Sequence, residues 1–594
     1  MKKELELLRE AMSEHGLDLY LITMDDDHQS EYVGDYYKEI RFISGFTGSA
    51  GKLLVSMEGA WLWTDGRYFV QAEAELSGSG IELMRMGQAG TLLLSEHAGS
   101  IIPEGGRLGF NGRTVSYTES KELSDKLSKK QADIVTDLDL PDLFWKDRPK
   151  KSCTLCRILP DSCTGEPSSS KLLRLREEMK NLGAEAHIIS SLDDIAWLLN
   201  MRADDVRYNP VFLSFFMIDG DRMSLYMDPG HLSDEVRTYL GELHIDIKDE
   251  DGIYEDIRKL SSDSLLLDTS RINAAIGAAI PKHIALIDRM LPTTAFKAVK
   301  NRTEKDNLRN AHIRDGLALT RFMHWFKKHV GSGELTECSC AERLHEFRME
   351  NEGFMGESFE TISAYGSNAA MCHYSPSQDH DRRISPKGLY LVDSGGQYTD
   401  GTTDVTRTFC CGPLSYMERL SYTITVIGCL RLSDAVFPEG TGGAVLDQIA
   451  RAPFWQRHLD YDHGTGHGVG YMLNVHEGPA SIRFRSAVSA KPDYGLREGI
   501  FISDEPGHYV EGNHGARTEN LLMCVKDMSD PTESFCRFDI YTLCPIDKEG
   551  IDKSLMDEED MALLDDYHKK VFDELSPYME GEDLAWLQEA CSPL

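Results

Sequence analysis

The sequence has no long hydrophobic run and no excess of positive charge. Its longest apolar stretch, VFLSFFMI at residues 211–218, suits a buried strand and is far shorter than the ~18 apolar residues of a membrane-spanning helix. The formal net charge is -35, which is the wrong sign for binding nucleic-acid phosphates. We therefore expect neither a membrane nor a nucleic acid as partner. At 594 residues the chain is too long for one hydrophobic core, so several domains are expected.

The sequence also lacks the marks of an exported, disulfide-bonded protein. Its 13 cysteines are scattered and odd in number, which favours reduced thiols. The first residues, MKKELELLREAM, have the pattern of a charged amphipathic helix without the apolar core of a secretory signal. Cys153 and Cys156 form a lone CxxC pair with no second pair to complete a zinc site. These features predict a cytoplasmic protein.

The first half of the sequence contains an internal repeat. Six residues of an amphipathic helix recur at a constant offset of 167 positions, and in each copy a glycine closes the helix before an apolar strand. The repeated residues are Leu5, Leu8, Arg9, Glu10, Met12 and Gly16, which recur as Leu172, Leu175, Arg176, Glu177, Met179 and Gly183. Two related α/β domains, 1–158 and 166–298, explain this pattern, with a Pro/Ser/Gly-rich linker at residues 160–170.

A third predicted domain, residues 299–594, has a different character. Thr303 and Asp306 resemble a capping box, and apolar residues at the i, i+3, i+4, i+7 spacing from Leu319 indicate a helix face. After a second helical stretch at 335–350 the pattern changes to strands with Gly/Asp turns. The dense polar motifs all lie in this part of the chain.

Two aspartates stand at the ends of predicted strands in this domain. Asp393 closes the apolar strand LYLVD, and Asp404 follows the Gly- and Asp-rich turn sequences. They lie equally far from the midpoint of the predicted hairpin, so their carboxylates are candidates to converge across paired strands. A structural role for each, as a turn or cap residue, is the alternative.

The segment HGTGHGVGYMLNVHEGP carries three histidines, His463, His467 and His476, among five glycines. The glycines argue against a helix, and their spacing is not the GxGxxG pattern of a nucleotide site. They allow a ligand to approach the backbone closely. A lone histidine is most often a satisfied polar group, but three in such surroundings favour a functional site.

Two glutamates repeat the pattern of a strand that ends in a carboxylate. Glu505 follows GIFISD, and Glu519 precedes NLLM close to Arg517, with which it could form a simple salt bridge. Together with Asp393, Asp404 and a histidine they make a set that can hold two divalent ions, because four carboxylates offset two dications. A carboxylate-rich set with one imidazole and no thiolate suits ions such as Mn²⁺.

These residues resemble the five-ligand signature of the pita-bread metallohydrolases. The segments VDSGGQYTDGTTDVTRT, HGTGHGVGYMLNVHEGP and EPGHYVEGNHGARTEN are similar to those of Xaa-Pro aminopeptidases. RFISGFTGSAG, WTDGRYF, DDIAWLLNMRADDVRYNPVF and PIDKEGID extend the resemblance over nearly the whole chain. The resemblance implies the long three-domain form: two creatinase-like α/β domains followed by a pita-bread catalytic domain of mixed α/β (α+β) class.

The resemblance also implies the role of each site residue. Asp393 would ligate one metal, Asp404 and Glu519 would bridge both, and His467 and Glu505 would ligate the second, with Glu505 also moving the proton. The residues expected at the peptide-binding site are His373, His463, His467, His476 and Arg67. The implied reaction is hydrolysis of the bond before a proline in second position, by a homodimer with two divalent ions per chain, Mn²⁺ being the expected metal.

Two other functions remain open at this stage. A prolidase, which cleaves only Xaa-Pro dipeptides, shares all five ligands but is typically shorter and has one N-terminal domain, so the repeat favours the aminopeptidase. A non-catalytic binding protein of the same fold is expected to have lost ligands, and this sequence retains all five.

Overall fold

The computed structural model describes residues 2–484 and 494–594 of the chain. It divides into two compact units, Met1–Ala295 and Phe296–Leu594. Among the described residues, no helix is both long enough and apolar enough to cross a bilayer.

The first unit begins with a six-stranded mixed sheet. Its strands are β1 (Leu19–Thr23), β2 (Lys52–Ser56), β3 (Ala60–Thr64), β4 (Glu82–Arg85), β5 (Arg107–Phe110) and β6 (Asp133–Val135). Its helices are α1 (Lys3–Glu14), α2 (Glu39–Ser44), α3 (Phe69–Glu75), α4 (Leu94–Ile101) and α5 (Tyr117–Leu127). The strand order is β4-β3-β2-β1-β5-β6, in which β1 pairs antiparallel with β2 and parallel with β5.

A second sheet in the same unit repeats this arrangement. The strands are β7 (Arg157–Ile158), β8 (Ala186–Ile189), β9 (Met201–Arg202), β10 (Phe215–Asp219), β11 (Arg222–Tyr226), β12 (Ile245–Lys248), β13 (Ser264–Leu267) and β14 (Ala285–Asp288). The helices are α6 (Asp161–Thr164), α7 (Ser168–Leu182), α8 (Leu192–Leu198), α9 (Asp234–Glu242), α10 (Gly252–Arg258), α11 (Ala274–Ala279) and α12 (Pro292–Ala298). The strand order is β12-β11-β10-β8-β13-β14, with β7 and β9 paired separately. The two sheets therefore share one topology, which confirms the two related domains.

The repeated sequence residues have the same structural role in both copies. Leu5, Leu8 and Met12 on α1 are fully buried, and α7 buries its matching leucines and methionine in the same way. Gly16 after α1 has φ +63° and Gly183 after α7 has φ +71°. This left-handed conformation ends each helix and favours glycine.

The segment predicted as a linker is more ordered than expected. It contains α6 and the first residues of α7, and Pro160 and Pro167 each occupy the position just before a helix. Proline is tolerated at a helix start because the first N–H groups have no partner within the helix. The composition that favoured a linker therefore marks two helix starts.

The described residues of the second unit form four separate sheets. Its strands are β15 (Phe354–Glu357), β16 (Ile362–Tyr365), β17 (Leu389–Ser394), β18 (Gly396–Tyr398), β19 (Gly401–Thr402), β20 (Val405–Cys410), β21 (Val436–Pro438), β22 (Gly466–Gly468), β23 (Glu477–Ile482), β24 (Phe501–Asp504), β25 (Gly507–Val510), β26 (His514–Arg517), β27 (Asn520–Lys526) and β28 (Phe535–Ile540). The helices are α13 (Arg302–His329), α14 (Glu337–Met349), α15 (Tyr416–Ser433), α16 (Gly443–Trp455), α17 (Glu558–Leu575) and α18 (Gly581–Ala590). The sheets are β15-β18-β19, β16-β17-β20, β21-β28-β27-β24-β22-β23 and β25-β26.

Two local predictions for this unit are corrected by the structure. Helix α13 begins two residues earlier than predicted, since its capping box is formed by Asn301 and Glu304. The hairpin also has a shifted register: Asp393 faces Thr406, and Ser394 faces Val405. The intervening β18 and β19 join a different sheet, so Asp404 precedes its strand while Asp393 lies within the partner strand.

Candidate active site

Three of the predicted ligands meet, each carried by or next to a different strand. Asp404 lies immediately before β20, His467 in the middle of β22 and Glu519 immediately before β27. One ligand atom from each lies within 4.8 Å of the other two. Both carboxylates are buried, whereas the His467 side chain is 16% exposed. Donor atoms grouped in this way are what a divalent ion requires.

Glu505 and the His467 ring complete one side of this group. Glu505 Oε1 and Asp404 Oδ2 each lie 3.5 Å from His467 Nε2. The other ring nitrogen, Nδ1, lies 2.9 Å from the main-chain oxygen of Gly468. In the neutral ring Nδ1 therefore carries the proton, and the lone pair of Nε2 faces the two carboxylates. A metal-ligating histidine needs this tautomer.

Asp393 approaches the group from β17. Its Oδ2 accepts a 2.6 Å hydrogen bond from Arg517 Nη2. Its Oδ1 is buried and has no hydrogen-bond partner among the described residues. An unsatisfied carboxylate oxygen in the interior is costly, and a bound cation offsets that cost. The orphaned oxygen and the surrounding donor set therefore fit a metal centre.

Burial and mutual repulsion raise the pKa of the carboxylates. Burial raises the pKa of Asp393 to about 7, with Asp404 adding to the rise and Arg517 opposing it. Burial likewise raises the pKa of Glu505 and of Glu519. The protein thus holds several carboxylates that ionise readily only when positive charge is near. Two divalent ions supply such charge.

The pKa of His467 moves in the opposite sense from that of an ordinary buried histidine. Burial lowers it, but the hydrogen bond with Asp404 and the charges of Glu505 and Asp404 outweigh burial and raise the pKa to about 9. The ring therefore lies in a strongly negative environment. A cation bound at Nε2 replaces the proton in the same field.

Two glycines allow β22 to bring His467 into this position. A Cβ on Gly466 would lie 2.0 Å from the Ser503 main-chain oxygen, and one on Gly468 would lie 2.2 Å from that of Glu477. The His467 N–H also donates to Ser503 Oγ at 2.9 Å. The close approach of β22 to β24 and β23 therefore needs glycine on both sides of the histidine.

His463 is connected to Asp393 through two other side chains. Its Nε2 lies 2.9 Å from the Tyr509 hydroxyl, and its Nδ1 lies 2.8 Å from the Gly464 oxygen. Arg517 Nη1 donates to the Tyr509 hydroxyl at 2.6 Å, while its Nη2 holds Asp393. Tyr509 and this use of Arg517 were missed in the sequence analysis.

His476 lies beside the same group, and His373 lies on a segment whose main chain contacts Arg517. The ring of His476 meets that of His467 edge to face, with centroids 4.4 Å apart. His373 is half-buried, and the main-chain oxygen of the preceding Cys372 lies 3.5 Å from Arg517 Nη2. Both histidines are therefore on segments that contact ligands or their direct partners.

Arg67 belongs to the first unit, between β3 and α3. Its Nε and Nη2 donate to the two carboxylate oxygens of Asp65 at 2.9 and 2.8 Å. Arg67 and Asp65 both belong to the first unit, so this ion pair lies within that unit. The role of Arg67 at the peptide site stays a prediction.

Arg517 pairs with Asp393 and not with Glu519 as the sequence suggested. Glu519 Oε2 instead accepts a 2.7 Å hydrogen bond from Thr406 Oγ1. The sequence contained a signal for the contact between Thr406 and Glu519. Alternate residues of a strand point to the same face, and Thr406 stands two positions after the proposed ligand Asp404. Thr406 is therefore expected on the face that carries the ligands. The choice of partner for Arg517, 124 positions from Asp393, had no such signal.

Comparison with known proteins gives matches along the whole chain. The Creatinase/Prolidase N-terminal domain matches residues 5–140 and again residues 147–304. Metallopeptidase family M24 matches residues 306–526, and the C-terminal region of peptidase M24 matches 534–594. The chain belongs to the M24 metallopeptidase family. All the predicted metal ligands of this M24 metallopeptidase fall within residues 306–526.

Full-length relatives of this M24 metallopeptidase carry consistent names. Aminopeptidase P2 of Arabidopsis thaliana is 38% identical and covers 100% of this chain and 88% of the relative. A Laccaria bicolor protein named "Probable Xaa-Pro aminopeptidase P" is 37% identical, covering 100% and 93%. The crystal structure of the X-prolyl aminopeptidase of Caenorhabditis elegans, described as a cytosolic enzyme with a di-nuclear active site, matches with a TM-score of 0.95, 32% identity and 100% coverage of both chains. The family and fold expected from the sequence are confirmed.

Proposed function

We propose that this M24 metallopeptidase is an Xaa-Pro aminopeptidase, which releases the first residue of a peptide whose second residue is proline. The observation that carries the proposal is the grouping of Asp404, His467 and Glu519 within 4.8 Å. Glu505 lies against it, and the full-length relatives named above are aminopeptidases. The retained ligand set argues against a non-catalytic binding protein.

The donor set suits two divalent ions held by carboxylates and one imidazole. We assign Asp393 to one ion, Asp404 and Glu519 to both, and His467 and Glu505 to the other. Mn²⁺ is the proposed metal, because hard oxygen donors with a single nitrogen and no sulfur favour such an ion. When bound, the two ions lower the pKa of a water molecule and polarise the carbonyl before proline.

The side chains of the protein handle the proton and the peptide. Glu505 takes the proton of the attacking water and delivers it to the proline nitrogen of the leaving group. His373 and His476 donate hydrogen bonds to the carbonyl oxygen as negative charge develops on it. His463 lines the peptide site, where Tyr509 holds its ring.

The proposed substrate sets its own requirement for the shape of the site. The Xaa-Pro bond has no N–H, and its pyrrolidine ring needs a shaped pocket. We assign Arg67 to contact with the peptide. A cytoplasmic location and a homodimeric state complete the proposal; the C. elegans relative is itself described as cytosolic.

The test uses purified protein reconstituted with Mn²⁺ and two substrates, an Xaa-Pro-Yaa tripeptide and an Xaa-Pro dipeptide, with products identified by mass. Release of the first residue from the tripeptide is the expected result. Cleavage of the dipeptide alone would make the protein a prolidase. If neither substrate is cleaved while Mn²⁺ is bound, the proposed substrate class is wrong.

A further inference from the structure

Arg407 is a buried arginine without a carboxylate partner among the described residues. It is 1% exposed, and every group that accepts a hydrogen bond from it is neutral. Nη1 donates to the main-chain oxygens of Thr406 at 2.9 Å and Glu519 at 2.5 Å. Nη2 donates to Asn520 Oδ1 at 3.0 Å and to the Tyr567 hydroxyl at 2.5 Å. The main-chain oxygen of Cys544 accepts from Nε at 3.2 Å and from Nη2 at 2.9 Å.

A guanidinium in such a place is expensive to bury, because no nearby anion offsets the lost hydration. Its planar fork has a compensating use, since it fixes several acceptors in one geometry. Here the fork of Arg407 converges on the main chain at Thr406 and Glu519. The arginine therefore acts on backbone position and not through an ion pair.

The clamped point joins two different sheets at the start of two ligand-bearing strands. β20 belongs to the sheet β16-β17-β20, and β27 belongs to the six-stranded sheet. Asp404 immediately precedes β20, and Glu519 immediately precedes β27. The Glu519 N–H donates to the Thr406 oxygen at 3.1 Å. Arg407 thus holds the two chain segments that present the bridging carboxylates.

The far side of Arg407 is held by helix α17, near the C-terminal end of the chain. The Tyr567 hydroxyl accepts from Arg407 Nη2 and donates to the Cys544 oxygen at 2.8 Å. Tyr567 is buried, with 3% of its surface exposed. The C-terminal tail, residues 550–594, contains no catalytic motif in its sequence. It is nevertheless connected to the main chain of Glu519 through Tyr567 and Arg407.

We propose that Arg407, held by Tyr567, is a positioning residue that sets the separation of the bridging carboxylates of Asp404 and Glu519. The inference rests on the proposed dinuclear function. Its consequence is that changes at Arg407 or at Tyr567 in helix α17 alter metal affinity although no metal ligand is replaced.

The first test compares Arg407→Lys with Arg348→Lys. Arg348 is a matched control. It is also 1% exposed, and its Nε and Nη2 donate to the Asp315 carboxylate at 2.8 and 3.2 Å. In the described part of the chain it makes no hydrogen bond to a proposed metal ligand. Calorimetric titration of the metal-free proteins with Mn²⁺ and thermal unfolding are measured together.

Arg407→Lys keeps the charge but loses the fork, so we expect Mn²⁺ affinity to fall roughly 10- to 100-fold, the usual effect of removing a group that orients a ligand. Arg348→Lys is expected to lower the unfolding temperature and leave the affinity unchanged.

A second pair of variants keeps the proposal testable if Arg407→Lys does not fold. Tyr567→Phe removes the hydroxyl that holds Arg407. Tyr422→Phe removes an equally buried hydroxyl, which donates to the Asp547 oxygen at 2.8 Å. In the described part of the chain this hydroxyl accepts no hydrogen bond from Arg407. The loss of one hydrogen bond predicts a roughly 2- to 10-fold weaker Mn²⁺ affinity for Tyr567→Phe, and no change for Tyr422→Phe.

The outcomes separate this inference from the proposed function. If the wild-type protein binds no Mn²⁺, the proposed function fails and this inference fails with it. If the wild type binds two ions per chain and the folded variants of Arg407 and Tyr567 bind them equally well, only the positioning role is overturned. Weaker affinity in these variants, against unchanged affinity in their controls, supports it.

Discussion

Replacing Gly466 by alanine is expected to disable the site although no ligand is changed. A Cβ at this position would lie 2.0 Å from the main-chain oxygen of Ser503 and 2.9 Å from its carbonyl carbon. Real Cβ atoms keep at least 3.0 Å from such neighbours, so β22 and β24 must separate by about 1 Å. Both neighbours are backbone atoms, and no side-chain rotation can relieve the contact.

The displacement would act directly on two proposed ligands. His467 follows Gly466 in β22, and Glu505 stands two residues after Ser503. A misplacement of about 1 Å costs roughly 10²-fold in rate, and an extra methyl group in a packed core costs about 1–3 kcal/mol of stability. We therefore expect kcat/KM for an Xaa-Pro-Yaa peptide to fall about 100-fold, with weakened Mn²⁺ binding.

Gly464→Ala is the matched control in the same segment. A Cβ there would meet the Arg483 Cβ at 3.6 Å, an ordinary contact, so activity and unfolding temperature should stay at wild-type values. Steady-state kinetics, metal analysis and thermal unfolding are measured on both variants. A Gly466→Ala protein with wild-type kcat/KM and full metal content would refute the idea that strand packing places His467.

Three further outcomes are expected. Asp404→Ala should lose Mn²⁺ binding and peptide hydrolysis together, because the carboxylate is assigned to both ions. Metal analysis and peptide assays test this, and an active variant would exclude the dinuclear arrangement. His463→Ala should reduce turnover and keep two ions per chain, and loss of metal would mean that this histidine is the ligand. Burial of the His187 ring lowers its pKa to about 4, below the value of about 6.5 in the unfolded chain. The free energy of unfolding that depends on the neutral ring is therefore fully present above pH 6.5. It falls by roughly 3 kcal/mol as the pH decreases towards 4. Denaturant unfolding should therefore show a shallower pH dependence in His187→Asn over that range, and equal slopes would contradict this assignment.

The sequence by itself indicated the two repeated α/β domains of the first unit. Helix periodicity and the glycines at positions 16 and 183 are local signals, and the offset between the copies needs no knowledge of contacts. The same holds for the types of residue in the candidate site. A carboxylate placed where an apolar strand ends is visible in one dimension, as at Asp393 and Glu505, because strand period and turn chemistry act over a few residues.

Where local signals compete, the sequence was a weaker guide. The helix α13 has two overlapping capping patterns, and the structure uses Asn301 with Glu304 and not Thr303 with Asp306. The proline-rich segment before α7 suited a linker and a helix start equally well. Such choices depend on which backbone groups the surrounding fold leaves unpaired.

Only the tertiary structure decided which distant residues became partners. Arg517 stands two residues before Glu519 in the sequence, yet its guanidinium holds Asp393, 124 positions away. Arg407 contacts Tyr567 across 160 positions, in a tail without any catalytic motif. The amino-acid types determine that a buried guanidinium must find acceptors. Which acceptors it finds is settled by how the sheets and helix α17 pack, since hydrogen bonds act over a few ångströms and that proximity exists only in the folded chain.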